Sequence, residues 1–144
     1  MFKVLNDIQL AKNFKMSEFE CHDGTHEVMI EMKLVEALQR LRDTLGVPLT
    51  IESAYRNPVH NMAVGGSPNS RHMLGQAADI KCRSFNPKQV AAAALRCGFT
   101  GIGTYLHNGN WFNHVDVRPV RSLWHDIEGS MNLQPVGTID QIRL

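Results

Sequence analysis

The apolar positions fall into helical and strand-like stretches along the chain. Val28, Leu34, Val35, Leu38, Leu41 and Leu45 recur at spacings of three, four and seven, which predicts an amphipathic helix over residues 27–45. Gly46 stands where a helix C-cap belongs, and Pro48 comes just after the stop. Residues 49–54 then form an apolar and β-branched run, the pattern of a strand. Upstream, Ser17 and Glu20 have capping-box spacing and predict a short helical turn, with Phe14 and Phe19 as core anchors.

Residues 56–71 break this order. They are rich in Gly, Pro, Asn and Ser, so the expectation is a long loop, and a loop that long in a compact domain is often functional. A short strand over 77–81 comes next. Asn86 and Pro87 predict an N-cap and first helical position, and Gly98 marks the end of an Ala-rich helix over 88–97. Residues 101–105 and 111–118 are expected to be strands joined by a hairpin at Asn108 and Gly109. Residues 119–144, with Pro119, Pro135 and Gly137 and little periodicity, are expected to wrap the domain, with Trp124 packing back. The sum is an α+β fold: a small antiparallel sheet with helices packed on one side, in a single domain over 1–144.

Composition narrows the partners. The 144 residues are 43% hydrophobic with a formal net charge of +1, so nothing favours nucleic acid or an anionic membrane. No run approaches the ~18 apolar residues of a membrane span, and the N-terminus lacks the apolar stretch of a secretory signal. The expectation is synthesis in the cytoplasm, no membrane insertion and a monomer. Cys21, Cys82 and Cys97 are odd in number and scattered, which suits reduced thiols rather than a disulfide framework. Seven His in so short a chain fits metal chemistry.

That chemistry has a place. His72 ends the polar loop, Asp79 lies seven positions on in an otherwise apolar strand, and His114 sits in a later apolar strand. A carboxylate among apolar neighbours is costly unless it is paired or bound to metal. Two imidazoles and one carboxylate suit tetrahedral zinc, and three protein ligands leave a fourth position open, as in catalytic sites. On a strand, residues two apart face the same way, so Asp116 should point to the side of His114. It is therefore the candidate general base. The alternatives are a carboxylate that orients a ligand imidazole, or a salt bridge with Arg118 or Arg121. His107, in the hairpin, is the reserve base.

Several segments carry a family resemblance. Ser70, His72, Gly75, Ala77 and Asp79 form a Ser-x-His-x-x-Gly-x-Ala-x-Asp motif. Tyr55 and Arg56 stand upstream, residues 60–66 between, and His114, Val115 and Asp116 downstream; residues 14–19 match as well. Over about residues 13–118 the chain resembles the zinc D-Ala-D-Ala carboxypeptidase family of bacterial and phage murein peptidases, which shares its fold with the hedgehog signalling domain. The resemblance implies one zinc ion on His72, Asp79 and His114. It also implies Arg56 as the partner of an oxyanion or of a substrate carboxylate, with Tyr55 and Ser70 as substrate contacts. For Arg56 a structural salt bridge is the alternative, and for Ser70 a turn-stabilising hydroxyl. Trp111 and Tyr105 are expected either to line the cleft or to pack in the core. The chain departs from the family at Ala54, where many relatives have Gly. It also has Trp111 and Phe112 where branches of the family place a Glu or His base.

The expected function is a zinc-dependent peptidase cutting peptidoglycan stem peptides, as a D-Ala-D-Ala carboxypeptidase or as an L-Ala-D-Glu or cross-bridge endopeptidase. A phage-type endolysin, released by a holin or carried in a virion, is the expected setting. The alternatives are a zinc-containing, non-catalytic peptidoglycan-binding or structural module, and a cytosolic D,D-dipeptidase.

Overall fold

The computed structural model describes residues 5–107, 109–126 and 134–143. A small hairpin of β1 (Gln9–Ala11) and β2 (Phe14–Lys15) leads into a 3-10 turn at Met16–Phe19. The capping box of that turn sits two residues earlier than expected: Glu18 accepts from the Lys15 amide at 2.7 Å, while Glu20 binds Asn6 and His26.

Helix α1 spans Met32–Leu45 and buries Leu34, Val35, Leu38 and Leu41, with Gly46 in the left-handed conformation that closes it. It starts later than the periodicity predicted. Residues 28–31 are extended because the Glu31 amide donates to the Gly75 carbonyl at 2.9 Å, and Val28 and Ile30 turn inward at period two.

Strand β3 (Thr50–Ser53) comes after the helix. The expected loop over 56–71 contains a helix, α2 (Pro58–Ala63), whose N-cap Asn57 accepts from the His60 amide. It was hidden because Val59 and Met62 point outward, so no apolar face marks it. A 3-10 turn at Arg71–Leu74, strand β4 (Ala77–Lys81), helix α3 (Pro87–Arg96), and strands β5 (Gly101–His107) and β6 (Asn110–Asp116) come next.

The segment after residue 118 corrects two expectations. It supplies β7 (Ser122–Asp126) and β8 (Gln134–Val136) to the sheet instead of simply wrapping it. The sheet has six strands in the order β3-β4-β6-β5-β7-β8. It is mixed rather than antiparallel, because β7 pairs with β5 in parallel. A parallel partner needs a crossover, and the chain makes it by leaving β6 and passing over β5.

One face of the sheet forms the core. Ala78 and Ile80, Ile102, Val115 and Val117, and Leu123 pack there under α3, and α1 packs on α3. Asn113 is also on this side and ties β6 to the start of α3 through the Pro87 carbonyl at 3.0 Å. The opposite face carries Asp79, His114, Asp116, Tyr105 and Trp124, all at alternate positions of their strands.

Candidate metal centre

Three side chains converge on the open face. Asp79 and His114 are direct cross-strand partners at the centres of β4 and β6. His72 comes from the 3-10 turn, whose first amides are capped by Ser70: its hydroxyl accepts from the His72 amide at 3.2 Å. Gly75 ends the turn at φ +68°, and a Cβ there would stand 2.5 Å from the Met29 carbonyl oxygen, so only glycine fits.

The donor atoms are set by what holds the other side of each ring. His72 donates from Nδ1 to the Ala54 carbonyl at 2.6 Å, which turns Nε2 towards Asp79. His114 donates from Nε2 to Asp116 Oδ2 at 2.7 Å, which turns Nδ1 inward. Both inward nitrogens lie 3.3 Å from the same oxygen, Asp79 Oδ1. In a tetrahedron with zinc–ligand bonds of about 2.0–2.1 Å, neighbouring ligand atoms are about 3.3 Å apart. Among the described residues this trio is the group able to hold a metal ion. The donors therefore fit zinc in type, in spacing and in the anchoring of both imidazoles.

The electrostatics point the same way. Burial disfavours the ionised carboxyl of Asp79, but the His72 and His114 imidazoles outweigh it and hold the group well below the usual carboxylate range. Burial likewise lowers the His114 pKa, but the Asp116 and Asp79 carboxylates prevail and raise it. A raised histidine pKa means that positive charge is favoured at this point. A divalent cation supplies that charge while leaving the imidazoles neutral.

Behind the donors lies a second layer. Asp116 is fully buried and binds the Arg118 guanidinium at 2.6–3.1 Å as well as His114. Burial opposes its ionisation, yet His114 and Arg118 hold its pKa well below the ordinary value. Arg118 also lies 5.0 Å over the Trp124 ring, and that ring packs on His114 at 5.2 Å. Two glycines of β5 make room: a Cβ on Gly101 would collide with the Asp116 carboxylate, and one on Gly103 with the Trp124 indole. Paired glycines two apart inside an apolar strand are the signal of such close approach. Trp124 and this glycine pair are the site residues that the motif reading missed.

The remaining candidates divide. Arg56 donates to Asp79 Oδ2 at 3.1 Å, to Asn61 at 3.3 Å and to Ser53 at 3.4 Å, and it lines the cleft. Gly66 must be glycine because a Cβ would collide with the Asn61 side chain. Ser70 lines the cleft while capping the turn. Tyr105 lines it too, stacked on Phe112 at 4.6 Å. Two expectations change. Tyr55, two residues past the end of β3, is not among the residues lining the cleft and stands near Glu27, Cys21 and Asp23. Asp116 is on the face of His114, as period two requires, but its carboxylate sits behind the ring, on the nitrogen opposite the donor. The carboxylate thus holds the outer nitrogen of the ring while Nδ1 points inward to Asp79. The side chain of His107, the reserve base, lies outside the described residues.

The cleft over the trio has a volume of about 770 Å³. An open groove over a His–Asp–His donor set, its imidazoles anchored from behind, is an arrangement suited to a zinc ion with a coordination position left open. A family model described as Peptidase M15 matches residues 12–116, and the chain belongs to that family. The zinc D-Ala-D-Ala carboxypeptidase of Streptomyces albus G is 42% identical over 66 residues, which cover 45% of this chain and 26% of that protein. The match thus spans about a quarter of the relative's length.

Proposed function

We propose that the protein is a zinc-dependent peptidase that hydrolyses peptide bonds of peptidoglycan stems, one zinc ion being held by His72, Asp79 and His114. The observation that carries this is the placement of two imidazole nitrogens at 3.3 Å from one carboxylate oxygen, at the floor of an open cleft. His72, Asp79 and His114 would hold the ion, which when bound would supply Lewis-acid polarisation of a carbonyl and a lowered pKa for a water molecule. Arg56 fixes the second oxygen of Asp79 and presents its remaining N–H groups to the cleft, where a substrate carboxylate or developing oxyanion can accept them. Asp116 and Arg118 hold His114 in one tautomer and one orientation. The likeness to the Streptomyces enzyme supports D-amino-acid-containing peptides as substrates. Within this reading the chain acts as a phage-type lysin on the cell wall, released by a holin or carried in a virion.

Zinc quantification on the wild type and on His72→Ala, joined to mass spectrometry of digested murein, tests the proposal. The expected result is about one zinc per wild-type chain, loss of zinc in the variant, and new amine ends at one bond type. Unchanged activity of zinc-stripped protein overturns it. A second reading, a zinc-containing binding module, is favoured by one observation: Asp79 is the only carboxylate among the described residues that line the main cleft. Binding to intact sacculi without release of any amine decides for that reading.

A further inference from the structure

The cleft does not stop at the metal trio. A second arm of about 290 Å³, lined by Glu52, Asp79, Lys81, Asn110, Trp111 and Phe112, meets the main cleft at Asp79 and Phe112. Lys81 is two residues beyond Asp79 on β4, and Phe112 two before His114 on β6, so both share the face of the trio. Glu52 enters from β3 at an irregularity in its pairing with β4, between Ile51 and Ser53. Bulges of this kind re-aim a side chain.

Lys81 has Thr50 as its register partner on β3, so Glu52 stands diagonal to it, a separation across which long side chains of opposite charge can still pair. Here they do not: among the described residues neither side chain makes a hydrogen bond or an ion pair. One free carboxylate and one free ammonium thus border a pocket whose walls, Trp111 and Phe112, are aromatic. A purely cationic group would satisfy only Glu52, and a purely anionic one only Lys81. A group carrying both charges on one carbon answers both, and an aliphatic stem suits the aromatic walls.

Resting on the peptidase reading above, we infer that this arm binds a zwitterionic α-amino-acid group at the end of an aliphatic side chain of the peptide. Glu52 takes its ammonium and Lys81 its carboxylate. The metal site then lies between two occupied arms, and the substrate runs across it.

The test uses the zinc-loaded full chain and two peptides of equal length, one with meso-diaminopimelate and one with L-lysine at the same position. Both carry the distal ammonium; only the first carries the distal carboxylate. Binding is measured by calorimetry and turnover separately as KM and kcat. The wild type is expected to bind the diaminopimelate peptide about 10-fold tighter, the effect of one charge-assisted contact. Lys81→Met should abolish that preference and leave the lysine peptide unaffected, whereas Glu52→Gln should weaken both peptides alike, with kcat and zinc content unchanged. Equal affinity of the wild type for the two peptides, binding of neither, or a Lys81→Met effect that is absent or equal on both overturns the inference. Discrimination in binding without hydrolysis of either peptide supports the arm and refutes the peptidase reading. Hydrolysis of both with equal KM does the reverse.

Discussion

Replacing Asp116 by Asn separates an orienting carboxylate from a proton-handling one. The substitution keeps the side chain's size and removes its charge. In the wild type Oδ2 accepts from His114 Nε2 at 2.7 Å and from Arg118 at 2.6 Å, inside a fully buried pocket. An orienting carboxylate raises the basicity of the ligand imidazole and locks its ring, and its loss typically costs about 10–100-fold in metal affinity. That range corresponds to about 1.4–2.7 kcal/mol. Competition with a chromophoric chelator at neutral pH measures it directly. The metal-free variant should also be less stable by about 1–3 kcal/mol, because the Arg118 guanidinium loses a charged acceptor. Arg118 is partly solvated, which keeps this below the cost of breaking a wholly buried pair. The pH dependence has a definite sign. The Asp116 pKa is depressed in the folded state, so its stabilisation is present above the unfolded value and is lost as pH falls through the folded value. The stability gap between wild type and variant should therefore close on acidification below about pH 4. A zinc affinity within about threefold of wild type, joined to a fall in kcat of more than about 100-fold, would refute the orienting role and restore Asp116 as the base.

The packing sets three further outcomes. Leu41→Ala, at a fully buried position of α1, should destabilise the chain by about 2–5 kcal/mol in denaturant titration while leaving zinc stoichiometry intact. Gly103→Ala drives a methyl group into the Trp124 indole, so a loss of about 1–3 kcal/mol is expected together with weaker zinc binding, because Trp124 packs on His114. An unchanged melting temperature would contradict the close approach. Burial pushes the Tyr105 phenol up to about 12, against the hydrogen bond from Trp124, so its ultraviolet titration should lag behind that of a free phenol. A raised pKa contributes stability that is complete below the unfolded value near 10 and disappears as pH rises through the folded value, so Tyr105→Phe should be relatively more stable than wild type near pH 12.

The metal donors were legible in the sequence because polar residues embedded in apolar strands betray themselves. Asp79 and His114 are such residues, and they meet as direct cross-strand partners. Helix α3 was legible from Asn86 and Pro87, yet the same Asn–Pro pair at 57–58 opens α2 unnoticed, since a six-residue helix with outward Val59 and Met62 has no apolar stripe. Strand β7 was missed for another reason. Its partner is β5, in parallel and after an intervening strand, and local alternation says nothing about so distant a pairing. Period two placed Asp116 on the right face of β6, but no spacing rule states which nitrogen of a neighbouring imidazole a carboxylate will take. Tyr55 shows the same limit from the other side: it is adjacent to Arg56 in the motif, yet of the two only Arg56 lines the cleft.

The three donors do not share one mechanical fate. Asp79 and His114 sit on paired interior strands, whereas His72 is steered by the carbonyl of Ala54, at the end of the edge strand β3. Edge strands fray before interior ones. Fraying at β3 would free the His72 ring first, and an ion held by the trio would then keep only two of its donors. The exchange rate of the β3 amides should therefore set the pace at which the centre empties, and an added tether on that edge would slow it.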